Sequence, residues 1–461
     1  MSAGLFRPTN LPSTFADLYA DENSPLRQIL RDFSARSNQL PLYLFVGRSD
    51  SMRTMTSASR TFRFTPAQFE RIVFGVWVVA IAAVIVRAIA APHQNTVFTV
   101  FREAGEAWVN GANLYSHVGK YLYSPLAAAF FALFAWAPES IAGALWRLMI
   151  VSLYLSSFIF WLRHFGKDLI FWEALPVFLL LPLSLGNLNN GQASLLVIGL
   201  LLGACLAIAA QRWTLGAFLI AAATFFKIYP LVIGLLLVVI YPWRLGPRLL
   251  LSLFALWLLS LGLQKPQYVL QQYHDWFACL GADQRRVSGA LGTWRDFWLL
   301  LRIMRLPISV SGYAVLQALA GGGIAVFCWW ARNVARWEER SLIWMAFTLG
   351  GIWITLFGPS TELSTYVFLA PSLAVAGAAT WQSRQSGGRR LDALRIWLGA
   401  TYLLFIVADA LNAWVPVIRQ NIFLHALQPI AALSFAAFVL VWSIPIEQSR
   451  PRGHQDISVL E

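Results

Sequence analysis

The chain has 461 residues, of which 58% are hydrophobic, 14% aromatic and only 12% charged, with a mean hydropathy of +0.60 and a formal charge of +13. Soluble domains carry roughly a quarter charged residues, so a soluble protein with an enlarged core is excluded. The basic excess falls in short segments between apolar runs, which is the positive-inside pattern, so it implies a membrane and no nucleic-acid partner.

In chain order, residues 1–70 are polar, contain no cleavable signal pattern, and are expected to be a mostly disordered cytoplasmic segment, with Met52 or Met55 as alternative starts. Arg60, Arg63 and Arg71 precede the first apolar run and hold this end in the cytoplasm. Apolar runs then occupy 72–91, 123–163 (broken at Ala137-Pro138), 168–186, 192–210, 213–226, 229–242, 248–263, 310–331, 341–357, 366–381, 393–412 and 425–444. Their lengths predict an all-α polytopic bundle of about 12 transmembrane helices over 71–446, followed by a cytoplasmic tail at 447–461. The basic connectors Arg163–Lys167, Arg244–Arg248, Arg332–Arg340, Arg384–Arg395 and the Arg450/Arg452 tail are assigned to the cytoplasm. The loops 92–122, 187–191, 227–228, 264–309, 358–365 and 413–424 then share the opposite face. This parity needs an odd number of crossings between 123 and 163, read as one kinked span in which 123–137 is the first arm or a re-entrant segment. Cys205, Cys279 and Cys328 are widely separated and give neither a disulfide framework nor a metal spacing.

The polar stretches of this apolar chain all fall on the shared face. In "NTVFTVFREAGEAWVNGANLYSHVGKYLYSPL", Val97, Val100, Phe101, Ala104 and Trp108 recur at helical spacing, with Arg102, Glu103 and Glu106 beside them. That pattern fits an amphipathic helix on the membrane surface, and its glutamates are either functional or simply solvated. The loop 264–309 repeats the pattern in "YVLQQYHDWFACL" and "TWRDFWLLLRIMR". Asn189, Asn190 and Gln192 in "GNLNNGQ" are either ligands at a site or a helix cap and turn, since Gly and Asn tolerate the left-handed conformation. Lys227 in "FFKIYP" either meets an anion or snorkels to the interface. Polar groups at membrane depth are costly unless they face a cavity, so their convergence with "GPSTELSTY" reads as a site at the bilayer surface.

Three of these motifs, in this order, resemble the polyprenol-phosphate-mannose-dependent glycosyltransferases of family 87. That family has the GT-C fold and includes mycobacterial phosphatidylinositol-mannoside mannosyltransferases. The motifs are "AGEAWVNGANLY" with "YSPL", "GNLNNGQ", and "FFKIYP" about 35 residues later. The resemblance covers roughly residues 72–380 and implies an inverting, metal-independent hexosyltransferase of the cell membrane, with both termini cytoplasmic. Such an enzyme moves a sugar, mannose by resemblance, from a polyprenyl-phosphate donor to a lipid or glycan acceptor on the extracytoplasmic face. It requires cations for the donor phosphate, for which Lys227 and Arg102 are the candidates. Asn189, Asn190 and Gln192 would bond sugar or phosphate oxygens, and Tyr229 would pack the sugar ring. One carboxylate must take the acceptor proton. Family members usually carry an aspartate near the position of Val97, but "QNTVFTVF" contains no acid. The candidate bases are therefore Glu103, favoured for its closeness to Arg102, then Glu106 and Glu362, with His93 an outsider. No cofactor is implied, and no Asp-x-Asp or His cluster suggests a metal. Two alternatives remain: a transporter or flippase of lipid-linked sugar, which would favour matching broken helices in two halves, and a catalytically inactive relative that binds the same donor.

Overall fold

The computed structural model describes residues 65–116, 121–165, 174–282, 293–382, 389–414 and 421–443, and among them every regular element is a helix. The N-terminal segment before 65, the tail after 443, and the connector positions Lys167 and Arg384 lie outside the described residues. Eight helices are long and apolar enough to cross a membrane: Pro66–Ala90 (α1), Glu139–Phe165, Pro242–Leu263, Val310–Asn333, Glu339–Phe357, Leu363–Trp381, Arg389–Asn412 and Ile422–Trp442. Among the described residues, five further apolar helices are shorter: Pro125–Phe134, then Ala174–Asn190, Ser194–Ala209, Trp213–Phe226 and Leu231–Ile240, the last four in one run. The chain is thus a multi-pass helical membrane protein. Large apolar side chains such as Phe74, Val79, Leu250 and Phe254 are exposed on its periphery, where lipid tails replace water and leave no desolvation penalty.

Two segments at one end of the bundle decide its architecture. The helix Phe98–Val109 (α2) turns Phe98, Phe101, Ala104 and Trp108 inward. Its apolar stripe is covered by protein: Phe101 stacks on Phe131 at 4.5 Å and meets Trp146 edge-on at 6.0 Å. Each such aromatic pair is worth about 0.5–1.5 kcal/mol beyond its buried area. The stripe packs against the short helix Pro125–Phe131 (α3) and against Glu139–Phe165 (α4).

The second segment is α3 with its 3₁₀ extension Ala132–Phe134. Ten residues rise only about 15 Å, half of a bilayer core of about 30 Å. Both of its ends stay with the same set of loops. Ser124 caps its start and donates to the Phe225 carbonyl at 2.6 Å, while Arg102 donates to the carbonyls of Ala135 (3.3 Å) and Ala137 (3.4 Å) beyond its end. This segment is thus too short to span a bilayer core by itself, whereas α4 is long and apolar enough to cross. The helix Pro266–Gly281 (α10, after Ala174–Asn190 α5, Ser194–Ala209 α6, Trp213–Phe226 α7, Leu231–Ile240 α8 and Pro242–Leu263 α9) lies over the first loop. Trp276 Nε1 donates to Leu122 O at 3.0 Å, Tyr268 Oη to Ala112 O at 2.7 Å, and the Leu114 amide to Gln272 Oε1 at 2.8 Å.

After the short helix Phe297–Ile303 (α11), Val310–Asn333 (α12) and Glu339–Phe357 (α13) lead into a 3₁₀ turn at Leu363–Leu369. The chain then runs through Ala370–Gln382 (α14) and Arg389–Trp414 (α15) to Ile422–His425 (α16) and Leu427–Ser443 (α17). The Arg295 amide donates to Thr361 O at 2.9 Å, and Phe368 packs on Tyr229 at 5.5 Å, which joins these later loops to the Lys227–Pro230 segment.

Candidate active site at the loop-rich end

The helix α5 ends at Asn190, and Gly191 follows with φ +72°, a conformation that costs a side-chain-bearing residue about 1–2 kcal/mol. The Gly191 amide donates to Leu188 O at 3.1 Å and the Gln192 amide to Asn187 O at 3.0 Å. This crossed pair is a Schellman cap, which satisfies carbonyls that a helix end otherwise leaves open. The remaining carbonyls are also occupied. Arg147, 4% exposed, donates to Asn189 O through Nη2 (3.0 Å) and Nε (3.3 Å), and Trp146 Nε1 donates to Gly191 O at 2.7 Å. A buried guanidinium is well placed here, because the C-terminal end of a helix carries partial negative charge.

The side chains of the motif turn to one another and to the first loop. Asn189 Oδ1 accepts from Arg87, Asn190 Nδ2 donates to Asn95 O at 3.2 Å, and Gln192 Nε2 donates to Asn190 Oδ1 at 3.2 Å. The Val97 amide and Thr96 Oγ1 both donate to Asn190 O, at 3.0 and 3.2 Å, and Arg147 donates to Thr96 Oγ1 at 2.9 Å. Of the two readings open for Asn189, Asn190 and Gln192, the cap and turn describes their hydrogen bonds. Their effect is to clamp residues 95–97, where the resemblance expects an aspartate, onto the end of α5.

Lys227 follows α7 directly and is half-buried. Its ammonium donates to Ser194 Oγ at 2.9 Å, at the first residue of α6. It stands 5.8 Å from the Tyr123 ring centroid and 5.6 Å from that of Tyr229. Tyr229 is 8% exposed, packs edge-on against Phe368 at 5.5 Å, and keeps its buried hydroxyl beside Lys227 without a hydrogen bond of good geometry. Burial alone would lower the Lys227 pKa. The facing Tyr123 and Tyr229 hydroxyls, with the Glu362 carboxylate, outweigh it and hold the ammonium above the usual lysine range. Burial pushes the Tyr123 phenol up to about 12, against the pull of Lys227.

The three candidate carboxylates have different surroundings. Glu106 pairs with Arg102 at 2.7 Å, and Arg102 also caps the α3 segment. Glu103 is exposed on α2, and neither it nor Glu106 is among the charges acting on Lys227. Glu362 is exposed at the start of the 3₁₀ turn, where its side chain accepts from the Thr365 amide and its own amide donates to Thr365 Oγ1 at 3.1 Å. Its charge acts on both Lys227 and Arg295. His93 is at the surface, 3.4 Å from Glu139. Burial lowers the Arg295 pKa, offset by Tyr366, Glu362 and Asp409.

Tyr123, Ser194 and Arg295 thus belong to the site, although the sequence reading did not single them out. Tyr123 lies in the "YLYSPL" motif and Ser194 two residues beyond Gln192, so the motifs bracketed them. Arg295 sits in a stretch whose amphipathic pattern hid it. The site can hold an anion at Lys227 and offers a carboxylate at Glu362 within its electrostatic reach.

A model of glycosyltransferase family 87 matches residues 121–359. The match takes in Tyr123, the α5 cap and Lys227, but starts after the "AGEAWVNGANLY" stretch and ends just before Glu362. No curated protein matches the chain. Since the matched segment is more than half of the sequence, this membrane-embedded protein belongs to glycosyltransferase family 87.

Proposed function

We propose that the enzyme transfers a sugar from a polyprenyl-phosphate-linked donor to a lipid or glycan acceptor at the extracytoplasmic face of the cell membrane, with inversion and without a metal. The observation that carries this reading is the Lys227 ammonium. It is enclosed by two tyrosine rings, bonded to a serine hydroxyl, and without a carboxylate at ion-pair distance among the described residues. A fixed cation in that condition favours an anionic ligand, because a phosphate supplies the charge-assisted bonds that the protein withholds. Mannose and the polyprenyl carrier come from the family resemblance.

In the proposed reaction, Glu362 takes the proton of the acceptor hydroxyl as its oxygen attacks the anomeric carbon. The bond from that carbon to the phosphate oxygen breaks, and polyprenyl phosphate leaves with the electron pair. Lys227 stabilises the charge that grows on the leaving phosphate, which is where electrostatic preorganisation acts most strongly. Arg102 and Glu106, engaged with each other and with the α3 segment, support the shape of the first loop in this scheme. Twelve crossings with both termini cytoplasmic would result if the run of four shorter apolar helices from Ala174 to Ile240 also crosses. The test is to incubate purified protein with polyprenyl-phosphate-mannose and a membrane lipid extract. A glycosylated lipid that disappears with Glu362→Gln is the expected result. Donor binding without product would instead favour the inactive binding relative, the reading supported by the missing acid near Val97.

A further inference from the structure

Asp409 lies near the end of α15 at the loop-rich end of a helix long and apolar enough to span the membrane. It is half-buried, and among the described residues no hydrogen bond or ion pair reaches its carboxylate. An ionisable residue inside a span is costly and marks a functional position. Its approach to α5 is built into the sequence: a Cβ on Gly186 would stand 2.8 Å from Asp409 Oδ2. The next residue of α5, Asn187, is 8% exposed, and its buried Oδ1 has no hydrogen-bond partner among the described residues. An unmet acceptor of this kind costs about 1–3 kcal/mol unless something else fills it.

The cation that acts on Asp409 is Arg295, which also senses Glu362. Arg295 is held firmly. Its Nη1 donates to Asn412 Oδ1 at 3.0 Å, its Nη2 stands 3.3 Å from His425 Nε2, and its carbonyl accepts from Tyr366 Oη at 2.6 Å. Asp409 and Asn412 are three residues apart on α15 and so share a face. Arg295 is therefore within electrostatic reach of two carboxylates, one assigned here to the proton transfer and one with no role in it, and Glu362 is also within reach of Lys227.

We propose that Asp409, Arg295 and Asn187 form a second polar subsite, beside the turn that carries Glu362, that binds the hydroxyl groups of a sugar or polyol acceptor. The place of the subsite in the reaction rests on the glycosyl-transfer reading; the binding itself does not. The chemistry selects the ligand class. Two carboxylates in electrostatic reach repel a second anion, and half-buried Arg295 repels an amine. An acceptor-only carboxylate and an open amide oxygen call for donors, which neutral hydroxyls supply, and the guanidinium meets their oxygens. A general base needs its acceptor hydroxyl within reach, and Arg295 is bonded to Thr361, the residue before Glu362.

The test uses full-length protein in lipid nanodiscs. Melting midpoints are measured with millimolar methyl α-mannoside, myo-inositol or, as a control, 1-propanol. Wild type and Glu362→Gln are expected to gain stability with a polyol but not with propanol. Asp409→Asn and Gly186→Ala, the latter pressing a methyl into the carboxylate, are expected to lose that gain. In the transfer assay, Asp409→Asn raises the acceptor KM roughly 10- to 100-fold, as loss of a charged hydrogen bond predicts, and leaves the donor KM within about twofold. An unchanged polyol response in Asp409→Asn, or none in wild type, overturns the subsite. If wild type binds polyols but transfers no sugar from any lipid-phosphate donor, the transfer reading fails and the subsite stands.

Discussion

Replacing Lys227 with Met removes the cation and keeps the length of the side chain. In the folded protein the change deletes one hydrogen bond to Ser194 and two cation–π contacts. The bond is worth about 1 kcal/mol and the ring contacts about 0.5–1 kcal/mol each. Against this stands the cost of burying an ammonium, and exchange of a buried charge for an apolar side chain is often neutral or stabilising. Fold stability is therefore expected to change little. Donor binding is different, because nothing in the variant replaces the ammonium–phosphate bond. Charge-assisted bonds of that kind contribute about 1.5–3 kcal/mol, so the donor KM should rise roughly 10- to 150-fold. Since the Lys227 pKa lies above its unfolded value, whatever the ammonium contributes is complete at neutral pH and is lost only as pH rises through the folded-state pKa. Donor KM should accordingly stay flat up to about pH 10, near the ordinary lysine value. The assay is initial rate against polyprenyl-phosphate-mannose concentration, paired with a melting curve. A Met variant that melts like wild type and keeps its donor KM would refute the role of Lys227 in phosphate binding.

Glu362→Gln should lower turnover by at least about 100-fold, the lower end of a general-base contribution, while Glu103→Gln stays near wild type; the opposite pattern would move the base to the first loop. Gly191→Ala should cost about 1–3 kcal/mol of stability, because it strains the left-handed cap and places a Cβ 3.3 Å from the Arg147 guanidinium. Thermal melts of Gly191→Ala and Gly191→Asn test this, with Asn expected to be the milder change. Arg102→Gln should lower the melting midpoint without a matching rise in donor KM, since its bonds go to Glu106 and to the α3 segment. Cysteines placed at Asn113 and Gly387 should label from opposite sides of the membrane, and labelling from one side would sink the topology.

What the sequence revealed, and what it hid, divides along the difference between local and convergent chemistry. Apolar length and basic connectors are local signals, so the multi-pass helical class was legible, as was the gathering of the polar loops at one end. Gly191 and its neighbours were legible as a cap for the same reason: the left-handed residue and the crossed bonds to Asn187 and Leu188 involve consecutive positions. The α2 stripe was visible too, but an amphipathic period states only that one face is apolar. That Phe131 and Trp146 pack on that face depends on segments some thirty residues and more away, which no periodicity encodes. Arg295 was obscured because its partners, Asn412 and His425, are 117 and 130 residues distant.

The same distinction bears on the missing aspartate. The backbone at 96 and 97 is locked to Asn190 by two hydrogen bonds and to Arg147 through Thr96. An aspartate at 96 or 97 would stand beside Arg147, with Arg87 on the other side of Asn189. In this chain a threonine hydroxyl, the Asn189 carbonyl at the end of α5 and the Gly143 carbonyl one turn back in α4 take up the Arg147 donors in its place. Removal of the acid therefore leaves no uncompensated buried charge, and the loop keeps its position on α5. The carboxylate needed for acceptor activation can then lie elsewhere, provided that it faces the same cation. Glu362 meets that condition through Lys227, and it does so from a turn whose ends are tied by Thr361 and Tyr366 to Arg295. On the reading proposed above, the base would then sit in the 3₁₀ turn rather than in the first loop, with Lys227 as the phosphate-binding group.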